Sequence, residues 1–483
     1  MEQSLSHRGV SCTVYCEHHK GRQCLSMARW NGSTETPARR RGLANRHLQF
    51  MALGGAIGAG LFLGSGGGIA TAGPAILIAY ALCGVMVFLI MRALGELAIA
   101  DPARGSFSSY AEIYLGPFAG FMTGWSYWAN WMLAGAAEIT AVGIFAKFWF
   151  PDLPQWLPSL VALLAVYAIN LRGVRLFGEL EFIISLLKVM AILGIITLGL
   201  VILFTPGLAA RHHAGIGNLL GSGGILPHGL IGLVAVLPAA LFAYGGVEVI
   251  GLAAAETEQP ERSLPRAING VILRILVFYV GALAIVMTIM PWTRFSAGSS
   301  PFIDMLQHVG FGQAAAVVNL IVISAVLSSC NTGLFAMGRM LASLAERHHA
   351  PAWLARTGPA GLPVTAISVS AGALLVTVFL NWLIPDRIFG AIIATVALLL
   401  LSVWALIILS HWAYRRAHRG TRPARRFVMP LFPWSSTIVL MFIALTVALL
   451  AARKEMWPTF ALVLLWYALL ALAWHRMRRP NRG

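Results

Sequence analysis

The sequence predicts an all-α polytopic membrane protein with about twelve transmembrane helices. Of its 483 residues, 58% are hydrophobic and 11% are charged, whereas soluble domains carry roughly 25% charged residues. The mean hydropathy is +0.77, and the apolar residues form stretches that are long enough to cross a bilayer. These stretches cover residues 47–70, 73–99, 117–149, 156–171, 179–204, 229–254, 270–291, 310–346, 361–381, 386–411, 431–451 and 455–476.

The net charge of +17 could indicate a nucleic-acid partner, but the distribution of the charges along the chain favours a membrane protein instead. With the N-terminus inside, all Lys and Arg residues but a few fall in inner segments. The exceptions are Lys188, within a span, and Lys147, Arg211, Arg294, Arg387, Arg453 and Lys454, in outer loops. This asymmetry predicts that both termini are cytoplasmic. The basic run at 415–426 is then expected to face anionic membrane lipid, and no nucleic-acid partner is expected.

The N-terminal segment, residues 1–41, is predicted to be a disordered cytoplasmic tail that precedes a membrane domain at 42–483. Its cysteines and histidines match no firm zinc spacing, so we expect no metal site. The chain's cysteines are Cys12, Cys16, Cys24, Cys83 and Cys330. None lies in a predicted outer loop, so neither a structural disulfide nor a disulfide-linked partner subunit is expected.

Two spans are interrupted by glycines. The first breaks at Gly54–Gly60 (GGAIGAG), and the sixth breaks at Tyr244–Gly246, just before Glu248. Glycine runs free backbone groups that lipid tolerates only where they line a cavity, and such breaks at matching places in two halves indicate a transporter's substrate site. The halves are residues 47–204 and 229–411, with extra helices at 431–476. The alternative is that the glycines only allow close helix packing.

The elements between these breaks carry further signals. Residues 101–116 are amphipathic and predict an interfacial helix after the second span. The third span is long and rich in tryptophan, which predicts a tilted helix. The eighth span is also long and contains the polar run Ser328–Thr332.

Several motifs, in order along the chain, resemble the bacterial amino acid transporter family of the amino acid–polyamine–organocation superfamily. They are Arg46–Gly58 (RHLQFMALGGAIG), Met91–Glu96 (MRALGE), Phe177–Phe182 (FGELEF), Phe242–Glu248 (FAYGGVE) and Pro265–Asn269 (PRAIN). The resemblance extends from about residue 42 to the C-terminus. It implies a five-plus-five inverted repeat of the leucine-transporter type, with discontinuous helices 1 and 6 and two additional C-terminal helices.

In such a fold, the breaks would bind the charged groups of an amino acid. The backbone N–H groups in the first span suit the carboxylate, because a helix N-terminus is a positive dipole end. Carbonyl groups in the sixth span suit the ammonium, and Phe242 resembles the aromatic lid of related permeases. The predicted substrate-binding residues are Ala56, Gly58, Ala59, Gly60, Asn130, Phe242, Ala243 and Gly245, with Trp131 beside Asn130 in the third span.

Lys188 is the main candidate for proton coupling, because an ammonium within a span is costly and a buried lysine can release its proton. Its expected hydroxyl neighbours are Ser328 and Ser329. Glu181, the nearest acidic residue before it, is roughly 10 Å away along the helix axis, so no local salt bridge is expected. Glu138 and Glu248 could titrate or make structural hydrogen bonds. The alternative for Lys188 is snorkelling to the membrane surface.

Together these features predict a secondary active transporter of the bacterial inner membrane that imports a neutral L-amino acid with protons by alternating access. The energy source would be the proton gradient, with no cofactor. An antiporter and a sodium-coupled symporter on the same fold remain as alternatives, and a membrane nutrient sensor is a remote one. The sequence shows no catalytic constellation, so no enzyme is expected. It leaves proline, histidine, small neutral, aromatic and GABA substrates open.

Overall fold

The computed structural model describes residues 57–101, 107–253, 260–358, 361–383, 388–418 and 427–478. Within these ranges the secondary structure is helical throughout, with no strand. The predicted tail at 1–41 and the inner half of the first span, including Ala56, lie outside the described residues.

The first half of the membrane domain contains five spans. They are a π-helical turn Gly60–Gly64 that continues as Ser65–Ala72, then Ala75–Ala100, Pro117–Ala146, Trp156–Leu171 and Val174–Phe204. The predicted interfacial segment forms the helix Phe107–Leu115. Two short helices, Pro206–Arg211 and Ile216–Leu220, lead to the second half.

The rest of the chain contains the sixth to twelfth spans. The sixth span is Gly229–Tyr244 followed by Val249–Ala253. The seventh is continuous through Pro260–Arg274, a π-helical segment Ile275–Gly281 and Ala282–Ile289. The remaining spans are Gly312–Glu346, Val364–Leu383, Ile388–Ala417, Trp434–Ala451 and Trp457–Arg478, with the helix Pro301–His308 before the eighth span.

Ten helices of the described ranges are long and apolar enough to cross a membrane. The fourth span is a shorter apolar helix of 16 residues, and the first is described only from its break onward. All the predicted spans are therefore accounted for, and the all-α polytopic fold is confirmed. The seventh span begins earlier than the predicted residue 270, because the charged segment Pro260–Arg274 is itself helical and continues into the apolar part.

The two interrupted spans lie against one another at the centre of the bundle. A Cβ atom on Gly60 would lie 2.6 Å from Cα of Ala243, so the two backbones are in direct contact there. The third and eighth spans pack together along their length and flank this contact. Three tyrosines fix the sixth span from its other side: Tyr244 Oη donates to the Tyr80 carbonyl at 2.8 Å, and Tyr279 Oη donates to the Ala243 carbonyl at 3.0 Å. The breaks are thus held in register by both backbone and side-chain contacts.

Candidate functional site

The described part of the first span begins with Gly58 and Ala59. The N–H groups of Leu61 and Phe62 both donate to the Gly58 carbonyl at 3.2 Å, which starts the helix. A helix start leaves backbone N–H groups without intrahelical acceptors. The N–H of Ala59 donates to Oε2 of Glu138 at 3.0 Å. This break therefore already binds a carboxylate, one supplied by the third span.

The sixth span is interrupted between Tyr244 and Val249. Gly246 has φ +102°, in a region that favours glycine because a Cβ atom is strained there. Its N–H lies 3.2 Å from each carboxylate oxygen of Glu248, which is fully buried. Of the two roles predicted for Glu248, the structure shows the structural hydrogen bond: its carboxylate caps the break.

A small central cavity lies between the two breaks. Its volume is about 10 Å³, which is room for about one water molecule. The lining residues are Gly60, Asn130, Trp131, Ala134, Glu138, Phe242, Gly245, Gly246, Ser329 and Val396. Gly60, Asn130, Phe242 and Gly245 are thus predicted substrate residues that reach the cavity. Three other predicted residues neighbour the lining residues in the chain but do not line the cavity themselves: Gly58, Ala59 and Ala243. Three lining residues were not predicted: Gly246, Ala134 and Val396.

The acceptors expected to bind an ammonium are partly occupied. The Phe242 carbonyl accepts the Gly245 N–H at 3.0 Å, and the Ala243 carbonyl accepts the Tyr279 hydroxyl. A carbonyl oxygen can accept a second hydrogen bond. Asn130 offers a further acceptor: it is 1% exposed, and its Oδ1 has no hydrogen-bond partner among the described residues. A buried acceptor of this kind at a cavity wall suits a ligand's donor.

Lys188 is fully buried, at 0% exposure, so the snorkelling alternative is wrong. Its Nζ donates to Ser328 Oγ at 3.0 Å. The adjacent Ser329 donates to Oε1 of Glu138 at 2.9 Å. The Lys188 ammonium and the Glu138 carboxylate also interact electrostatically. Two neighbouring hydroxyls on the eighth span therefore lie between the lysine and the carboxylate at the first break.

The sequence analysis expected no local salt bridge between Glu181 and Lys188, and this stays a prediction. Glu181 is 1% exposed, and its charge interacts with that of Lys188, as does the charge of Glu138. Both residues lie on the buried face of the fifth span. The spacing of Glu181, Ser185 and Lys188, which is i, i+4 and i+7, is the signal that could have identified the group.

A second, much wider cavity of about 750 Å³ lies at one end of the bundle, between the first, third, sixth and tenth spans. Leu63, Ile393 and Phe389 contribute to its wall. The rings of Phe389 and Phe242 meet edge to face, with centroids 6.5 Å apart. Because Phe389 lines the wide cavity and Phe242 lines the central one, this pair of rings lies between the two spaces.

The opposite end of the bundle is held by ion pairs. Glu96 of the second span is paired with Arg415 at 2.8 Å and hydrogen-bonded to His411 at 3.1 Å, both on the tenth span. Arg347 contacts Glu112 at 2.8 Å and joins the interfacial helix to the end of the eighth span. The central cavity is therefore closed by charged contacts on one side and by two aromatic rings on the other.

Comparison with known proteins agrees with this architecture. The family model for amino acid permeases matches residues 47–477. The chain is 44% identical over 436 residues to the uncharacterized amino acid permease YtnA of Bacillus subtilis, covering 90% of this chain and 94% of that protein. It is 41% identical over 432 residues to the amino-acid permease AapA of the same organism, covering 89% and 94%. It is also 41% identical over 435 residues to the aromatic amino acid transport protein AroP of Escherichia coli K12, covering 90% and 95%.

Proposed function

The chain belongs to the amino acid permease family, and from this premise we propose that it imports a neutral L-amino acid together with a proton by alternating access. The membership makes it a multi-pass membrane protein of amino acid transport. The proposal adds the coupling ion, the substrate class and the direction. It also places the protein in the bacterial inner membrane with both termini in the cytoplasm, on the basis of the positive-inside charge distribution.

The observation that carries the proposal is the hydrogen bond from the Ala59 N–H to Glu138. A substrate carboxylate at the first break would need this same donor. Two carboxylates cannot both remain ionised at one site in a low-dielectric cavity, because like charges at short range repel strongly. Substrate binding therefore favours the protonated form of Glu138, which no longer competes for the N–H. Binding of one substrate and binding of one proton then promote each other.

The lining of the central cavity favours a neutral side chain. Among the described lining residues Glu138 alone is ionisable, and Trp131, Phe242 and Val396 are apolar. The name of AroP gives aromatic amino acids as the cargo of that relative, so aromatic side chains are the first class to test here. A cavity of about 10 Å³ holds no amino acid, so the pair Phe242 and Phe389 must separate to admit one from the wide cavity. That opening, followed by opening at the charged end, is alternating access.

Protons are favoured over sodium because of Lys188. Its ammonium is already a buried cation, hydrogen-bonded to Ser328 between the fifth and eighth spans. A sodium ion at this place would have to displace it or share the site with a like charge. Replacement of external sodium by choline should therefore leave uptake unchanged.

The test uses proteoliposomes containing purified protein and a set of labelled neutral amino acids, starting with the aromatic ones. Glu138→Gln keeps the shape of the side chain but cannot titrate. We expect this variant to take up substrate uphill at least tenfold more slowly than wild type under an inward proton gradient. Its rate of counterflow at equal pH should stay within about threefold of the wild-type rate. The exposed carboxylate Glu261 supplies the control Glu261→Gln, which should behave as wild type. Proton-driven accumulation by Glu138→Gln at the wild-type level would refute the coupling argument, and sodium-dependent uptake would favour the rival symporter.

A further inference from the structure

We propose that Glu181 is the proton acceptor from Lys188, and that Glu181, Ser185 and Thr332 form a one-sided proton path from Lys188 to the cytoplasmic end of the bundle. The inference rests on the proposed proton-coupled function and extends it to the direction of proton release. It assigns a transport role to residues of the fifth and eighth spans that do not line the central cavity.

The first argument is the buried face of the fifth span. Most of this helix is exposed on the outside of the bundle, and its buried positions recur at helical spacing as one narrow stripe. The stripe consists of Gly178, Glu181, Ser185, Lys188, Ile192, Ile195, Gly199 and Ile202. Its polar members all precede or include Lys188, and the positions beyond it are apolar. The polar part therefore connects Lys188 with only one end of the helix.

The second argument is the eighth span, which presents hydroxyls to the polar part of this stripe. Ser328 and Thr332, one helical turn apart, are 1% and 0% exposed. Ser328 accepts a hydrogen bond from Lys188, and the carboxylate of Glu181 lies beside both hydroxyls. Ser185 Oγ lies 3.4 Å from Oε1 of Glu181. The polar residues of the two helices thus form one continuous group.

The third argument is the loose contact between two buried groups. The Glu181 carboxylate lies beside the Thr332 hydroxyl, but neither Oε2 of Glu181 nor Oγ1 of Thr332 makes a hydrogen bond of ordinary geometry with a described residue. Buried polar atoms normally have a partner, so an exception in a native structure requires an explanation. A carboxylate oxygen that no strong donor holds is able to accept a proton. The neighbouring hydroxyl can then accept or donate as the protonation state changes.

The elements packed against the fifth span carry further titratable groups. Tyr167, Tyr279 and Cys330 are neutral near pH 7, and the charged Arg339 and Glu346 lie further along the eighth span, beyond Thr332. Arg211 lies beyond the opposite end of the helix. The charges that act on Lys188 come from Glu181 and, across the eighth span, from Glu138. Lys188 therefore lies between two carboxylates, one at the substrate site and one towards the cytoplasm.

The proton balance of the proposed path is simple. Protonated Glu138 passes its proton through Ser329 and Ser328 to the neutral amine of Lys188, becomes a carboxylate and binds the Ala59 N–H again. The Lys188 ammonium then transfers a proton to the Glu181 carboxylate: an N–H bond breaks, an O–H bond forms, and the ion pair becomes a neutral pair. Glu181 releases the proton to water on the cytoplasmic side and is ionised again. One proton crosses in each cycle.

The experiment compares four proteins in proteoliposomes of defined orientation: wild type, Glu181→Gln, Thr332→Val and the control Glu179→Gln. Glu179 lies two positions away and is only half-buried. Two rates are measured, uphill uptake under an imposed proton gradient and counterflow at equal pH. We expect Glu181→Gln to reduce uphill uptake at least tenfold and Thr332→Val about threefold. Counterflow should stay within twofold for both, because exchange of loaded carriers requires no proton release. Glu179→Gln should match wild type in both.

The outcomes separate this inference from the function on which it rests. If wild type itself does not accumulate substrate under a proton gradient, the proposed function fails and the path fails with it. If wild type is coupled and both Glu181→Gln and Thr332→Val accumulate substrate normally, only the path is overturned. If Glu181→Gln loses counterflow or does not fold, Thr332→Val decides, because it keeps both charges. Normal uphill uptake by Thr332→Val then assigns Glu181 a structural role and overturns the path.

Discussion

Gly60 offers the sharpest test of how the two interrupted spans meet. A methyl group in place of its hydrogen would lie 2.6 Å from Cα of Ala243 and 3.0 Å from its nitrogen. Ordinary contacts between such atoms are about 3.5–4.0 Å, and a backbone atom cannot swing aside as a side chain can. Gly60→Ala must therefore push the first span away from the sixth or distort one of them.

The expected cost is that of overpacking a tight interior, about 1–3 kcal/mol. In an equilibrium constant this corresponds to a factor of roughly 5 to 150. Gly64, one turn further along the same helix, is a matched control, because a Cβ there would meet its nearest atoms at 3.7 and 3.8 Å. Gly64→Ala should therefore be neutral or slightly stabilising, since alanine restricts the unfolded chain more than glycine does.

The assay has two readouts, the temperature at which detergent-solubilised protein loses its monodisperse state and the initial rate of amino acid uptake. We expect Gly60→Ala to lower both, with uptake reduced at least fivefold, and Gly64→Ala to change neither appreciably. Equal behaviour of the two variants would refute the direct backbone contact between the first and sixth spans. A loss of uptake in Gly60→Ala with unchanged thermal stability would instead place the methyl group in the path of the substrate alone.

Two further predictions concern the lid and the lysine. Phe242→Ala should weaken substrate affinity about tenfold or more, and Phe242→Leu should weaken it less, because leucine still fills part of the space next to Phe389. Binding isotherms measure both affinities. Wild-type affinity in both variants would argue against a lid at this position. Lys188→Arg should keep a buried positive charge but lose proton-driven uptake, because a guanidinium does not deprotonate. Substrate accumulation is measured under an imposed pH gradient. Normal accumulation would show that Lys188 does not carry the proton.

The architecture could be read from the sequence because lipid imposes strict rules on it. Apolar length identifies the spans, and glycine runs mark the breaks, since few sequences can interrupt a helix in a membrane. What the sequence could not show is which groups meet across the breaks. Gly60 is predicted to bind a substrate carboxylate through its backbone, and the structure adds that its lack of a side chain gives room to Ala243. That contact joins residues far apart in the chain, and periodicity contains no information about it.

The polar network around Lys188 could also be predicted only in part from the sequence. Lys188 was identified because a charge in a span is rare, and Glu138 was noted for the same reason. Their connection through Ser328 and Ser329 depends on the rotation of the eighth span. Glu181 was expected to make no local salt bridge with Lys188, because the two residues are far apart along the helix axis. The axial distance does not show that both residues lie on the same buried face of the helix. A polar residue recurring with the helical repeat is a stronger sign of a neighbour than its separation in sequence suggests.

The carboxylate of Glu138 at the first break has a consequence for what the protein can recognise. At this break, Glu138 is an internal competitor that resembles the carboxylate end shared by every amino acid. A compound without that end, such as an amino acid amide or an aromatic amine, has nothing with which to replace it. The protein would therefore select first for a carboxylate. It would select for the side chain only among molecules whose carboxylate has already displaced Glu138. If the substrate carboxylate binds at the first break as proposed, the protein would accept several side chains and reject aromatic molecules that have no carboxylate.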